Sequence, residues 1–228
     1  MWKRTAGGRE FHFYLAGINN QNFLMRDRET GSWWQQVTGE AIFGPLKGTR
    51  LEPVAMDELT FSLWKQEAPA GLVMQPVAKY DKKYESDWEK SVAKMPTPLD
   101  FSREGFPNRE IILGVELDGT ARAYPQSTVW SAWPVQDRVG GAAIVLVTGP
   151  DGKSVRVFRA EVNAAAAEFF KKGEGWALMD SSTGSEWNFQ GCATSGPAMG
   201  QCLPRVPYLK DYWFDWKNYH PATSVYQH

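Results

Sequence analysis

Cysteine and histidine are scarce in this chain, with two of the former and three of the latter among 228 residues. Cys192, Cys202, His12, His220 and His228 show no Cys-x-x-Cys or His-x-x-x-His spacing, so no metal site and no cofactor is expected. A net charge of -1 leaves no clustered basic surface, and nucleic acid is not an expected partner. No apolar run reaches the roughly 18–20 residues that a membrane-spanning helix needs. The start, Met1-Trp2-Lys3-Arg4, lacks the apolar centre and small-residue cleavage site of a signal peptide, so the chain is either cytoplasmic or its true N-terminus lies upstream. Catalytic patterns are missing too. There is no nucleophile elbow, no serine beside a base and no phosphate loop; Gly7-Gly8, Gly31 and Gly140-Gly141 are spaced as turn formers.

Tryptophan, by contrast, is abundant, at eleven residues. Each aromatic side chain buries roughly 150–250 Å², worth about 4–6 kcal/mol at roughly 25 cal/mol per Å² before entropy is subtracted. With hydrophobic residues at 43% and charged residues at 22%, the chain can build a core and is globular.

The tryptophans also expose an internal repeat. Thr30-Gly31-Ser32-Trp33-Trp34 returns as Thr183-Gly184-Ser185-Glu186-Trp187, Gly44-Pro45 as Gly196-Pro197, and Gly48 and Leu51 as Gly200 and Leu203. Further on, Trp64-Lys65 returns as Trp216-Lys217, Pro69-Ala70 as Pro221-Ala222, and Val73 as Val225. Two copies of one chain path must bury the same apolar set. The expected fold class is therefore mainly β with a few short helices, arranged as two pseudo-symmetric tandem lobes. Residues 1–78 form a first lobe, 79–108 a charged, proline-containing connector, and 109–228 a complete second lobe. The strands expected between Ile111 and Arg159 have no counterpart ahead of the first copy, so the first lobe lacks its N-terminal strands.

Alternating or β-rich runs predict strands over 10–15, 23–27, 33–42, 72–77, 110–117, 120–124, 142–147 and 154–159. Gly44-Pro45-Leu46-Lys47-Gly48 predicts a turn returning through Arg50-Leu51-Glu52, and Asp118-Gly119 predicts a tight hairpin. Helix-like spacing of Leu59, Leu63 and Trp64 predicts a short helix over 57–66 with Asp57 as its N-cap. The four alanines of Asn163–Lys172 favour a second short helix ending at Gly173. The run Phe11–Leu15 is expected to be an open sheet edge, inviting a protein partner or self-association that completes the first-lobe sheet.

The segments Asp27–Ser32 (Asp-Arg-Glu-Thr-Gly-Ser), Gly39–Pro53, Leu113–Tyr124 and Tyr212–Tyr226, the last with His220-Pro221 after its tryptophan, resemble a bacterial domain-of-unknown-function family over nearly the whole chain. The resemblance implies two-unit proteins, many of them exported, with a Cys-Pro-x-Cys-Gly segment in the first unit that is absent here. It also implies histidine where Ala68 stands, which His220 keeps in the second copy. It carries no activity.

Cys192 and Cys202 lie five positions either side of Pro197, opposite each other in a regular hairpin. A disulfide, two reduced packing cysteines, and a redox or metal site remain open; a bond would add roughly 2–3 kcal/mol and mark an oxidising compartment. The corresponding pair in the first copy is Glu40 and Arg50. His220, after an aromatic helix and before proline, reads as a packing histidine. Asn20, Asn22, Arg26, Asp27, Trp33 and Gln35 combine amides, charge and an aromatic face, a mixture suited to sugars or other polar ligands, although a solvated loop has the same composition. The expected function is a non-catalytic binding or assembly component, periplasmic or secreted. The competing class is a hydrolase acting on a glycan-like substrate through Asp27 or Glu29 beside Trp33, for which raised carboxyl pKa values in an apolar-walled pocket would be the sign.

Overall fold

The computed structural model describes residues 1–227; His228, one of the histidines without ligand spacing, lies outside them. Strand accounts for 36% of residues and helix for 14%, a mainly β chain with short helices as expected. A small hairpin, β1 (Thr5–Ala6) and β2 (Arg9–Glu10), precedes an antiparallel meander of β3 (Phe13–Asn19), β4 (Asn22–Asp27), β5 (Trp33–Gln35) and β6 (Ala41–Phe43). Helix α1 (Phe61–Glu67) follows, then a largely exposed run holding a short 3-10 turn at Ala78–Lys83 and α2 (Trp88–Val92).

The remaining chain is more elaborate. β7 (Ile111–Leu117) and β8 (Thr120–Pro125) form the hairpin expected around Asp118-Gly119, flanked by β18 (Leu209–Tyr212) and β19 (Ser224–Val225) in the order β18-β7-β8-β19. Helix α3 (Gln126–Ala132) leads into β9 (Val135–Val139), β10 (Ala142–Thr148) and β11 (Val155–Arg159). The hairpin β12 (Glu161–Val162) and β13 (Ala165–Ala166) then precedes a second meander, β14 (Phe169–Lys171), β15 (Leu178–Asp180), β16 (Glu186–Trp187) and β17 (Ala193–Ser195), and helix α4 (Trp213–Tyr219) stands between β18 and β19.

The same bonds recur in the two meanders. In both, an aspartate accepts the amide and hydroxyl of the threonine three residues on and the indole N–H of the tryptophan seven residues on. These are Asp27 with Thr30 and Trp34 (Nε1 to Oδ2 2.8 Å), and Asp180 with Thr183 and Trp187 (2.9 Å). Ser32 and Ser185 then accept the amides of Leu46 and Ala198 across the turn. Gly44 and Gly196, both at positive φ, pack so closely on those serines that no Cβ fits. The correspondence reaches further upstream than the sequence motifs. The bridge of Trp2 to Pro53 matches that of Phe158 to Arg205, and Trp2 and Phe158 each lie against a glycine, Gly39 and Gly191. The edge strand β3 has its counterpart in β14, also the end strand of its meander, where the Gln136 side chain takes up the Phe169 amide and carbonyl.

Several expectations are corrected. Asn163–Lys172 is not a helix. Asn163 and Ala164 take positive φ in the β12–β13 turn, and Phe169 is buried as a strand residue, its amide and carbonyl both held by the Gln136 side chain. Four alanines have helical propensity but too little surface to bury, so Phe169 packing on Trp187 decides the outcome. The strand expected over 33–42 breaks at a turn between Gln35 and Glu40. Residues 72–77 form no strand, and the helix starts after Thr60, whose hydroxyl accepts the Leu63 amide, while Asp57 instead pairs with Arg156 and Arg205. The end of the connector is built into the fold: Phe101 and Phe106 pack on Trp213. The first segment has a small core of its own around Trp34, Ala41 and Leu51, but α1 lies outside it, with Leu63 buried among Val145, Val147 and Phe158.

Candidate functional site

A cleft of about 740 Å³ opens between the two meander-bearing regions, with Trp2, Asn22 and Arg50 on one wall and Glu116, Asp211 and His220 on the other. Helix α4 supplies its back. The helix follows β18 directly, so Asp211 near the end of the strand and Asp215 on the first turn lie four residues apart on one side. His220 caps the helix C-terminus, where its ring stacks on Trp216 with centroids 3.7 Å apart. Its Nδ1 lies 3.2 Å from the Trp216 carbonyl and its Nε2 3.3 Å from Glu116 Oε2, so both ring nitrogens face acceptors. Arg50 reaches the other Glu116 oxygen at 3.3 Å. Trp216 fits because position 114 on the strand beneath it is glycine; a Cβ there would strike the indole. Its own N–H donates to Thr223 Oγ1 at 2.9 Å.

The electrostatics divide the cleft. Glu116 is held below its ordinary range, first by the His220 hydrogen bond and further by Arg50, against the opposing effect of burial. Asp211 moves the other way: burial and then the neighbouring Asp215 carboxylate push it well above the usual carboxylate range. Asp215 is raised as well, chiefly by burial, and partly relieved by the Asn22 side-chain amide that donates to it from the far wall. One Asp215 oxygen is buried without a partner. Both shifts favour the protonated form of the pair, in which one carboxyl donates rather than accepts.

Of the sequence-predicted residues, the structure brings only Asn22 to this cleft. Asn20 sits at positive φ in the β3–β4 turn, a conformation asparagine tolerates. Arg26 braces its own turn through the Gly31 carbonyl at 2.9 Å and lies 5.8 Å over the Trp33 ring. Gln35 is buried, with both amide atoms unpartnered. Asp27 is fully buried; burial raises its carboxyl, but the Trp34 indole and the Thr30 and Gly31 donors hold it below the ordinary value. Asp180, in the same setting, is lowered to about 2. Glu29 is turned away onto His12, which gives it an amide at 2.9 Å and Nδ1 at 2.7 Å. The raised carboxyls proposed as the mark of a hydrolase thus occur at Asp211 and Asp215, not at Asp27 or Glu29. Sequence reasoning missed them because Asn22 and Asp215 are 193 positions apart. The signal within reach was the four-residue spacing of two aspartates beside an aromatic helix.

Cys192 and Cys202 are disulfide-bonded across the turn, and Glu40 and Arg50 occupy the matching bridge in the first meander, with Arg50 Nε 3.5 Å from Glu40 Oε2. Among the described residues no group of three or more His, Cys, Asp or Glu could hold a metal ion, and no helix is long and apolar enough to cross a membrane.

Residues 1–223 match the family model described as a protein of unknown function (DUF3179), and the chain belongs to that family. No curated protein and no solved structure matches it.

Proposed function

We propose that this member of the DUF3179 family is a non-catalytic binding component that holds a small polar ligand, of the hydroxyl-bearing kind exemplified by sugars, in the cleft between its two meander-bearing regions. The observation that carries the reading is the cleft wall itself. Trp2, Leu51, Pro53 and Met56 offer apolar surface, while Asn22, Arg50, Glu116 and Asp211 converge with donors and acceptors of both signs, the composition of a small-molecule site. The Cys192–Cys202 bond supports a place outside the cytoplasm, in the periplasm or beyond the cell, where disulfides persist. Assembly with a protein partner fits the same role.

Isothermal titration of the chain with a panel of neutral, amino- and acidic mono- and disaccharides tests it. Saturable heat with at least one probe is expected, weakened about tenfold by Glu116→Ala, consistent with loss of a charge-assisted hydrogen bond. Absence of saturable binding at millimolar concentrations across the panel would overturn it.

A hydrolase acting on a polar substrate is the second reading, favoured by one observation: Asp211 lines the cleft with its carboxyl raised by burial and by Asp215, as a general acid requires. Reducing-end release between pH 4 and 8 that disappears in Asp211→Asn would replace binding with catalysis.

A further inference from the structure

We infer that the α1 face bearing Phe61 and Trp64, with the run Leu72–Met74 beside it, is a docking surface for a β-hairpin of the β7–β8 kind contributed from outside residues 1–228. The inference is independent of the cleft and rests on two helices whose corresponding residues are covered to different degrees, Trp64 being only half-buried, against Gly71. In α4, Trp213 and Trp216 are 0% and 2% exposed. They are covered by Ile112 and Ala123, by Gly114 beneath the Trp216 ring, and by Phe101 and Phe106, which sit on Trp213. In α1 the matching residues are Phe61 and Trp64. Phe61 is 64% exposed, and its ring lies on Trp64 with centroids 5.5 Å apart at 27°. Beyond α4, Ser224–Val225 adds as a parallel strand to Arg122–Ala123 of β8. Beyond α1, the matching Leu72 and Val73 pair with no strand among the described residues, and Leu72 and Met74 are 96% and 94% exposed.

This surface is preformed. The opposite side of α1 is fixed by Leu63 in the second core and by the Thr60 amide and hydroxyl, which donate to Ser154 and Asp151. Arg156, 2% exposed, binds Glu67 through two nitrogens at 2.9 and 2.6 Å and Asp57 at 2.7 Å. A contiguous apolar face on an immobilised helix is a recognition surface rather than a frayed end.

The occupant's chemistry follows from what covers α4. It needs a small residue, as Gly114 is, opposite Trp64. It needs a strand edge to run parallel to Leu72–Val73, recognition by β-augmentation. Charge adds a third demand: Lys217 pairs with Glu104 at 3.3 Å, whereas the matching Lys65 has no salt-bridge partner among the described residues, so the occupant supplies a carboxylate ahead of its first strand. A second copy of this chain does not meet these demands with its own β7–β8, because α4 and β19 already cover that hairpin.

The probe is a synthetic peptide with the sequence of residues 99–125, titrated into the whole chain by calorimetry with hydrogen exchange read at Leu72–Met74. Saturable one-to-one binding that protects those amides is expected. Trp64→Ala should weaken it about 30-fold, as for a hot-spot aromatic, and Lys65→Glu about threefold, as for an exposed ion pair. Three results each overturn the inference: no saturable heat, equal affinity of the Trp64→Ala chain, or protection of Leu72–Met74 by concentration alone with a doubled mass in light scattering. Trp64 is half-buried and Lys65 exposed, and retained circular dichroism with cooperative unfolding above the assay temperature establishes that the variants are folded.

Discussion

The two meanders carry one plan under different fastenings, and the contrast separates what the plan requires from what each copy adds. Both keep the aspartate, threonine, serine and tryptophan of the turn, and both keep the glycine that lets the returning chain touch the serine. They differ in the cross-strand bond at the hairpin mouth, ionic in one and covalent in the other. They differ again in the helix that follows: Leu63 of α1 enters an apolar core, while the matching Asp215 of α4 meets Asn22 across the cleft. The shared residues hold the turn, while the divergent ones fasten the hairpin mouth or meet the opposite region.

The contrast is sharpest in the helices. Trp216→Ala should cost about 3–5 kcal/mol, as large-to-small changes in a packed core do, while Trp64→Ala should cost well under half of that, both read from urea denaturation at pH 7. Equal losses would mean that α1 is covered in the isolated chain. A smaller gap is expected at the hairpin mouths. Replacing Cys192 and Cys202 by serine should lower stability by about 2–3 kcal/mol, from loop entropy regained by the unfolded chain, while Glu40→Ala should lower it by roughly 0.2–1 kcal/mol as an exposed cross-strand pair. The acidic turns bring the copies together again. Asp180 is lowered to about 2 and Asp27 is lowered in the same direction, so each contributes stability that is present above the unfolded carboxylate value and is lost as pH falls through the folded one. Asp180→Asn and Asp27→Asn should each cost about 1–3 kcal/mol at pH 7, the price of a weakened buried acceptor, with the penalty shrinking between pH 4 and pH 2. A penalty that does not shrink would place the stabilisation elsewhere.

Local chemistry made much of this architecture legible. Asp118-Gly119 specified its hairpin because two successive positive-φ residues leave few alternatives, and the spacing of Cys192 and Cys202 about one turn placed them opposite each other. Where a distant contact overrode local preference, reading along the chain failed, as at Phe169, whose backbone is claimed by Gln136. Asp57 illustrates the same limit, since arginines from β11 and beyond draw it away from the helix it would have capped. The cleft was the least legible feature because each wall comes from a different half of the chain. Asn22, on a hairpin read as polar and solvated, owes its place to an aspartate on the last helix.

Arg156 carries one more consequence. Its guanidinium ties carboxylates at both ends of the segment that includes α1 to a strand more than eighty positions later. Severing the exposed run from 75 to 94 is therefore expected to leave two pieces that stay together, with covalent continuity there dispensable to the architecture. That run is free to lengthen, shorten or accept an inserted module without disturbing either neighbour.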